Sequence, residues 1–295
     1  MPTESVMGVV GVSTGGSSIH RVFPEWAAEL GLSAELRGHD LPVGAGAAQC
    51  REVVARIAED PQHAGALVTT HKMAVHDAAA DLFDELDEHA RRFGEISAVS
   101  KRGGRLVGHA KDPVAAGLAI EDFLAPDHFG RTRGHALVLG CGGAGAAITW
   151  CLAQRSDAPE RIVCVDRSSD KLDRLLAAQA GSSAPLHPVH ARGVADGLVA
   201  ELPPGSLVVN ATGRGKDTPG SPLSGGAVFP ERGVAWELNY RGNLEFLRQA
   251  ERQVRAVDGW RYFVHGWSQA LAEVFGFALS RELVERLARA AERAR

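Results

Sequence analysis

Short apolar runs alternate with longer amphipathic stretches along the chain, which is the pattern of an α/β protein. In the first part of the chain, the apolar runs predict strands at 7–12, 34–36, 66–69, 96–100 and 105–107. The longer stretches predict helices at 22–30, at 47–57, from the end of the third strand through Leu86, and at 113–124. Proline suits the first turn of a helix, so Pro113 marks the start of the last one.

A polar segment at 125–134 separates this part from a second series of alternating elements. Strands are predicted there at 136–141, 161–166, 185–190, 206–210 and 234–238, with helices at 146–155 and 169–179. Two further helices are predicted at 266–277 and 282–294. Alternation of strand and helix favours a doubly wound parallel sheet.

Glycines stand at 140, 142 and 145, directly after the first apolar run of the second series. In a dinucleotide-binding turn, Gly140 would let the chain turn sharply, Gly142 would let the backbone approach a pyrophosphate, and Gly145 would let helix pack on strand. The N–H groups at the start of the helix would bind the phosphates. Asp166 ends the next strand about 20 residues further on, where a carboxylate can accept hydrogen bonds from a ribose. The combination predicts a nucleotide site rather than a plain tight turn.

The length of chain before the glycine turn determines the predicted domain organisation. About 130 residues precede the turn, which is enough for a separate domain. We therefore predict an α/β fold of two domains, with an N-terminal α/β substrate domain at 1–124 and a C-terminal Rossmann domain, a doubly wound parallel sheet, at 125–265. Residues 266–295 are expected to form C-terminal helices that pack near the cleft between the domains.

The composition excludes several classes of protein. Hydrophobic residues make up 45% of the 295 residues, and the net charge of −4 comes without a Lys/Arg cluster that would bind nucleic acid. The four cysteines lack the spacing of a metal site or disulfide framework, as expected of reduced thiols in a cytoplasmic protein. No stretch approaches the roughly 20 apolar residues that span a bilayer, and no secretory signal is evident. We expect a small-molecule substrate as partner, with no metal, nucleic acid or membrane, and leave a homodimer open.

Two ionisable residues of the first domain follow predicted strands. Lys72 comes after the strand in Leu67-Val-Thr-Thr-His-Lys, and Asp112 ends Gly108-His-Ala-Lys-Asp just before a helix. Ligands of open α/β sheets bind where strands run into loops, so both residues are candidates for substrate chemistry. Each taken alone is more simply a surface charge. His71, beside the lysine, would either line a pocket or pack under the strand.

Several segments, spread along nearly the full length, resemble the shikimate dehydrogenase family with its quinate and aminoshikimate relatives. Segment 11–17 resembles the family's first substrate loop, segment 69–72 its strand leading to a catalytic lysine, and segment 104–112 the stretch that ends in its catalytic aspartate. The resemblance implies that Lys72 and Asp112 are catalytic. It implies substrate contacts from Ser17, Thr69, Ser97, Tyr240 and Gln269, and cofactor contacts from Gly140, Gly142, Gly143, Ala144, Gly145, Asp166, Arg167, Asn210, Ala211 and Thr212.

Some positions in the substrate segments depart from the family pattern. Ile19 stands where the family has a second serine, and Thr70 stands where it has a proline. Ser97, in Gly94-Glu-Ile-Ser-Ala, replaces the asparagine of the family's Gly-Ala-Val-Asn-Thr, and Ala110-Lys-Asp replaces its Asn-Thr-Asp. A site built for particular hydroxyls rejects analogues strongly, because its buried polar groups are left unpaired. The changed polar groups therefore predict a changed substrate, while the retained Lys/Asp pair predicts retained chemistry.

The resemblance implies reversible, NAD(P)-dependent oxidation of a ring secondary alcohol on a cyclic polyol acid or cyclitol. Lys72 would give a proton to the carbonyl oxygen during reduction and take it back during oxidation, while Asp112 would hold the ammonium and bind a substrate hydroxyl. A neighbouring carboxylate raises the pKa of a lysine and burial lowers it. The sequence does not say which of the two effects prevails at Lys72.

The segment Asp166-Arg167-Ser168 bears on the choice of cofactor. NADP-using members of the family usually have asparagine at the first position and an arginine that binds the 2′-phosphate. Asp166 would repel that phosphate and accept a hydrogen bond from a free 2′-hydroxyl, whereas Arg167 would favour NADP or stack on the adenine. We therefore expect NAD, with NADP as the alternative.

Two other functions fit the sequence. One is authentic shikimate or quinate dehydrogenase, if the remaining serines suffice to hold the substrate. The other is a non-catalytic dinucleotide-binding sensor, against which the retention of both Lys72 and Asp112 speaks. His187 and His190 are interpreted as surface residues rather than metal ligands, because no acidic or cysteine partners cluster beside them.

Overall fold

A computed structural model describes residues 5–182, 184–216 and 218–295. Its strands are β1 (Ser5–Gly11), β2 (Ala34–Asp40), β3 (His63–Val68), β4 (Glu85–Leu86), β5 (Ala98–Arg102), β6 (Arg105–His109), β7 (Ala136–Leu139), β8 (Ile162–Asp166), β9 (Leu186–His190), β10 (Leu207–Asn210), β11 (Val234–Glu237) and β12 (Arg255–Val257). Its α-helices are α1 (Ile19–Leu30), α2 (Ala47–Glu59), α3 (Lys72–Ala79), α4 (Glu88–Phe93), α5 (Asp112–Phe123), α6 (His128–Thr132), α7 (Gly143–Ala153), α8 (Ser169–Ala178), α9 (Asp196–Ala200), α10 (Glu245–Glu251), α11 (Trp260–Phe275) and α12 (Arg281–Arg293).

The chain divides into two compact units, residues 1–114 with 264–295 and residues 115–263. The division therefore falls before the predicted boundary at 124/125, and the polar segment at 125–134 lies inside the second unit, where it contains α6. The C-terminal helices, predicted as a third segment at 266–295, belong largely to the first unit. One reason is that the indole Nε1 of Trp26, fully buried on α1, donates a hydrogen bond to the Leu287 carbonyl of α12 at 2.7 Å.

The sheet of the first unit has the strand order β2-β1-β3-β5-β6-β4. Strands β1, β2 and β3 are parallel, and β5 runs antiparallel to both of its neighbours. Apolar side chains of the strands and of helices α2 and α3 form one buried cluster, which includes Val10, Val54, Val68, Val75 and Val99. Burying these side chains is what holds the helices on this face of the sheet.

The predicted helix through Leu86 is wrong. Helix α3 ends at Ala79, and the two-residue strand β4 pairs in parallel with β6. Asp84 donates its N–H to the Leu106 carbonyl at 2.9 Å, and its side chain accepts the Leu106 N–H at 2.7 Å. Pairing with a distant strand therefore prevails over the local helical pattern.

The sheet of the second unit has the order β12-β11-β10-β7-β8-β9 with every pair parallel. The order reverses at β7, as in a Rossmann sheet, and the carboxyl ends of the strands on either side of this switch point form the usual ligand edge. The predicted Rossmann architecture is confirmed. Among the described helices, none is long and apolar enough to cross a membrane.

Candidate active site

Lys72 and Asp112 lie in contact within the first unit. Lys72 begins helix α3 after β3, and Asp112 begins α5 after β6. The Lys72 Nζ atom lies 2.5 Å from both Oδ1 and Oδ2 of Asp112, so the ammonium faces the whole carboxylate. Two residues that are 40 positions apart in sequence are thus brought together, because their strands end at the same edge of the sheet.

The contact between these two side chains is largely shielded from solvent. The Lys72 side chain is 20% exposed and that of Asp112 is 7% exposed. Burial lowers the pKa of Lys72, but the charges of Asp112 and Glu95 outweigh burial, so the pKa stands above its ordinary value. Lys72 is therefore an ammonium at neutral pH, suited to donate a proton.

Glu95 is a buried carboxyl group beside this pair that the sequence did not single out. It is 0% exposed and lies between α4 and β5. Burial, followed by the charge of Asp112, raises the pKa of Glu95 to about 8, although Lys72 opposes the shift. A carboxylic residue in an otherwise apolar stretch, where the resembled family has alanine, is the sequence signal that could have indicated it.

Ser97 supports the segment that carries Asp112. Its hydroxyl accepts the N–H of Lys111 at 2.6 Å and donates to the His109 carbonyl at 3.4 Å. The residue is buried, with 4% exposure. The hydroxyl predicted to bind substrate is therefore engaged with the backbone immediately before the catalytic candidate.

The first loop is held by an acid at the end of the neighbouring strand. Asp40 Oδ1 accepts the backbone N–H of Thr14 at 2.8 Å and its hydroxyl at 2.6 Å. A side chain at Gly38 would overlap the Thr14 hydroxyl, which explains the glycine there. Ser17, the predicted substrate contact, ends the short 3₁₀ turn of this loop and is half-buried. Neither Thr14 nor Asp40 was recognised from the sequence.

The remaining candidates of the first unit lie on three different elements. Thr69 follows β3 and donates its hydroxyl to the Val10 carbonyl at 3.2 Å. Gln269 lies half-buried on α11. His71 is buried with its Nε2 atom 3.3 Å from the Leu41 carbonyl, which favours packing over a role in a pocket.

The glycine turn of the second unit has the geometry that a pyrophosphate requires. Gly140 has a φ of +95°, and a Cβ there would lie 2.7 Å from the Ala211 backbone. A Cβ at Gly145 would overlap the Gly140 carbonyl, so the helix approaches the turn closely. A Cβ at Gly142, the N-cap of α7, would meet nothing within 4 Å. Gly143 and Ala144 form the first turn, whose N–H groups are the usual ligands of phosphate.

Asp166 ends β8 next to this turn. Its carboxylate accepts the N–H of Cys141 at 2.7 Å and that of Ser168 at 3.0 Å. The residue is 9% exposed, whereas Arg167 is exposed. Each carboxylate oxygen can accept further hydrogen bonds, so these contacts leave room for a ribose hydroxyl.

Asn210 is the centre of a buried polar network. Its side-chain carbonyl accepts the Thr212 N–H at 3.1 Å and hydroxyl at 2.6 Å, and its amide donates to Glu237 at 2.7 Å. Glu237 also accepts the backbone and side-chain N–H groups of Asn239, at 2.8 and 2.7 Å. Burial raises the pKa of Glu237 to about 7 despite these bonds. The Asn210 side chain thus supports the loop that carries Ala211 and does not project from that loop.

Two further interpretations concern the second unit. The ring of Tyr240, a predicted substrate contact, packs on Phe263 with centroids 4.7 Å apart and on Trp260 at 5.4 Å. Between residues 5 and 295, leaving out 183 and 217, no group of three or more His, Cys, Asp or Glu side chains could hold a metal ion. His187 and His190 lie together on β9, where His190 contacts the Arg167 carbonyl.

Comparison with known proteins gives matches over the second unit and over the whole chain. The family described as "Saccharopine dehydrogenase NADP binding domain" matches residues 136–218. The shikimate dehydrogenase (NADP(+)) of Symbiobacterium thermophilum is 29% identical over 205 residues, which cover 68% of this chain and 67% of that protein. These names favour NADP, so the expected preference for NAD is not supported.

Solved structures match nearly all of the chain. Shikimate 5-dehydrogenase from Thermus thermophilus, in complex with NADP(H) and shikimate, is 25% identical with a TM-score of 0.73, and the match covers 99% of this chain and 100% of that one. Quinate dehydrogenase from Corynebacterium glutamicum, in complex with NAD, is 20% identical with a TM-score of 0.74 over 97% of this chain and 98% of that one, a likeness of fold.

Proposed function

We propose that the chain belongs to the shikimate dehydrogenase family and that it catalyses the reversible oxidation of a ring secondary alcohol on a cyclic polyol acid or cyclitol with a nicotinamide dinucleotide. The contact of Lys72 with both carboxylate oxygens of Asp112, at 2.5 Å, is the observation that carries this proposal. A shielded ammonium–carboxylate pair at the carboxyl ends of strands can bind a hydroxyl and move its proton.

Lys72 is the proton donor of the proposed reduction. Its raised pKa keeps it charged at neutral pH, so it can protonate the carbonyl oxygen as that oxygen becomes an alcohol. Asp112 orients the ammonium and accepts a hydrogen bond from a neighbouring substrate hydroxyl. In the direction of oxidation Lys72 must first lose its proton, and oxidation should therefore speed up as the pH rises.

The glycine turn fits a dinucleotide, because Gly142 leaves open space in front of the first turn of α7. When bound, the nicotinamide supplies or accepts the hydride. We propose NADP as the better cofactor, in agreement with the names of the matching proteins. The exposed Arg167 would bind the 2′-phosphate, while Asp166 maintains the turn through Cys141 and Ser168.

The substrate is proposed to differ from shikimate in the groups that the first unit recognises. The engagement of the Ser97 hydroxyl with the backbone supports this view, because it leaves one polar group fewer than the resembled asparagine would offer. Shikimate itself and quinate remain the first compounds to test, since matching proteins carry their names. Dimer formation stays a prediction that sedimentation can examine.

A screen of shikimate, quinate, aminoshikimate and simple cyclitols with NADP and NAD tests the proposal. Reduced nicotinamide is followed by absorbance, and Lys72→Met is the matched control. Turnover of any of these compounds that is lost in the variant supports the dehydrogenase. Tight dinucleotide binding without turnover across the panel would favour the sensor instead.

A further inference from the structure

We propose that Glu95 is a positioning residue for Lys72: a buried carboxyl group that is neutral at neutral pH and that, once ionised, holds Lys72 in its ammonium form. The resembled family segment Gly-Ala-Val-Asn-Thr has no ionisable side chain at this place. The catalytic consequence of the inference rests on the proposed function, whereas its structural basis does not.

The burial of Glu95 is the first observation. Neither of its carboxyl oxygens has a hydrogen-bond partner among the described residues, and the residue is 0% exposed. The next residue, Ile96, donates its N–H to the Lys72 carbonyl at 3.0 Å, which fixes Glu95 to the start of α3. A buried carboxylate without donors is strongly disfavoured, so the neutral acid is the stable form in this place.

The charges around Glu95 are the second observation. The charges that act on Glu95 are those of Asp112 at the start of α5, Lys72 at the start of α3 and Asp87 before α4. Further ionisable groups lie nearby in the same unit, among them His109 and Lys111 after β5 and Glu273 of α11. Within this set Lys111 pairs with Glu273 at 2.6 Å and with Asp87 at 3.5 Å. Lys72 is influenced by the charges of two carboxyl groups, and of these Asp112 contacts it with both oxygens. The positive charge of Lys72 balances the negative charge of Asp112. Glu95 is therefore the group that keeps its proton.

Ionisation of Glu95 would change the chemistry of Lys72. Burial raises the pKa of Glu95 to about 8, close to working pH, so a modest rise in pH removes its proton. The negative charge of ionised Glu95 is, after that of Asp112, one of the charges that raise the pKa of Lys72, because it stabilises the ammonium. The two groups then titrate as a coupled system. Glu95 consequently favours proton donation, hence reduction, and delays the formation of the free amine that oxidation requires.

Infrared difference spectroscopy on the full chain tests the protonation of Glu95 without any substrate. Glu95→Gln keeps the size of the side chain but cannot ionise, and Glu273→Gln is the matched control on α11. We expect carboxylic-acid carbonyl absorbance at pH 6 to 7 that is lost as the pH rises through about 8. Glu237, whose pKa is raised to about 7, contributes equally in all the proteins, so the share due to Glu95 is the part that Glu95→Gln removes and Glu273→Gln retains. A carboxylate signal from Glu95 at pH 6 would overturn the inference. If Glu95→Gln fails to fold by circular dichroism, Glu95→Ala takes its place.

The pH profile of kcat/KM tests the effect on Lys72, with whichever compound the screen yields. The limb that reports proton loss from Lys72 should move to lower pH by roughly one unit in Glu95→Gln, the low end of what a neighbouring charge produces. The limb should stay in place in Glu273→Gln. Turnover with an unmoved limb in Glu95→Gln would refute the role of Glu95 and leave the dehydrogenase intact. The expected infrared result without turnover of any compound would support the neutral Glu95 and count against the proposed function.

Discussion

The Asp166 carboxylate accepts the backbone N–H of Cys141 at 2.7 Å, inside the glycine turn. A second bond, from the Ser168 N–H at 3.0 Å, holds the other oxygen. Hydrogen bonds to an ionised acceptor are among the stronger ones in proteins, so this acid joins the end of β8 to the turn. This role is the same whichever dinucleotide binds. Asp166 therefore has a structural role that is distinct from the effect of its charge on the cofactor.

Asp166→Asn should therefore change cofactor preference while the turn keeps its shape. Asparagine retains one oxygen that can accept the Cys141 N–H in the turn, loses the bond from the Ser168 N–H, and removes a negative charge that would repel a 2′-phosphate. We expect the ratio of kcat/KM for NADP to that for NAD to rise roughly tenfold, which corresponds to about 1.4 kcal/mol. Steady-state kinetics with both cofactors gives the ratio.

Arg167→Ala is the partner experiment on the neighbouring side chain. It should lower kcat/KM for NADP and leave that for NAD nearly unchanged, because only NADP carries the phosphate that the guanidinium would bind. An unchanged ratio in both variants would mean that neither side chain selects the cofactor.

Lys72→Met should reduce kcat by roughly 10² to 10⁴, since it removes the proposed proton-transfer group. The KM for substrate should change much less, because the neighbouring Asp112 remains. Lys101→Met is a suitable control, as the Lys101 ammonium of β5 donates to the Ile57 and Asp60 carbonyls at the end of α2. A raised KM with unchanged kcat would make Lys72 a binding residue only.

Asn210→Ala should weaken dinucleotide binding and lower stability together. The substitution removes the donor to Glu237 and the acceptor for Thr212, so buried polar groups lose their partners. Such losses cost about 1–3 kcal/mol each. Fluorescence titration and thermal melts report the two effects. Asn239→Ala should lower stability as well but affect binding less, because the Asn239 amide donates to Glu237 and the Arg214 carbonyl rather than to the turn.

The stability of the first unit should fall in mild acid because of a buried histidine pair. His39 Nε2 lies 3.0 Å from His63 Nε2, and His63 Nδ1 lies 2.9 Å from Asp60. Burial, with the charge of His63 next, lowers the pKa of His39 to about 4, and burial also lowers that of His63. The unfolded chain binds a proton below about pH 6.5, whereas folded His39 does not until about pH 4. Stability is therefore complete above pH 6.5 and declines towards pH 4, by up to about 3 kcal/mol from His39.

Thermal melts between pH 7.5 and 4.5 measure this decline. His39→Asn should flatten the pH dependence of Tm, because the titrating group is gone. His187→Gln, on β9 of the other unit, should retain the dependence of the parent protein. Equal slopes in all three proteins would assign the acid sensitivity to other groups.

The features that the sequence predicted well are those with a local signal. The glycine turn is one, since Gly140 needs a positive φ and Gly145 a close approach, and few other residues allow either. The alternating strands and helices of the second unit are another, because each apolar run is long enough to be buried on both faces. Lys72 and Asp112 were candidates because each comes shortly after a strand, but it was the resemblance to a family that implied their catalytic roles.

The features that escaped prediction depend on contacts between distant segments. Strand β4 exists through its pairing with β6, and β12 through its pairing with β11. The engagement of Ser97 with the backbone of Lys111 arises only when β5 pairs with β6, and the enclosure of Glu95 arises only in the folded unit. Side-chain identity indicates what a group can do, but its partners are set by tertiary packing.

The fixed bond between Asp40 and Thr14 limits how this protein could acquire new substrates. Libraries that randomise only the segment around 12–18 would lose the hydroxyl bond to Asp40 in most members, because only serine or threonine at position 14 can donate it, whereas the backbone N–H bond remains. Varying positions 14, 38 and 40 as a set would free the loop to take other shapes. Selection for a new specificity would thus have to change Asp40, the acid that holds the loop, and not the loop alone.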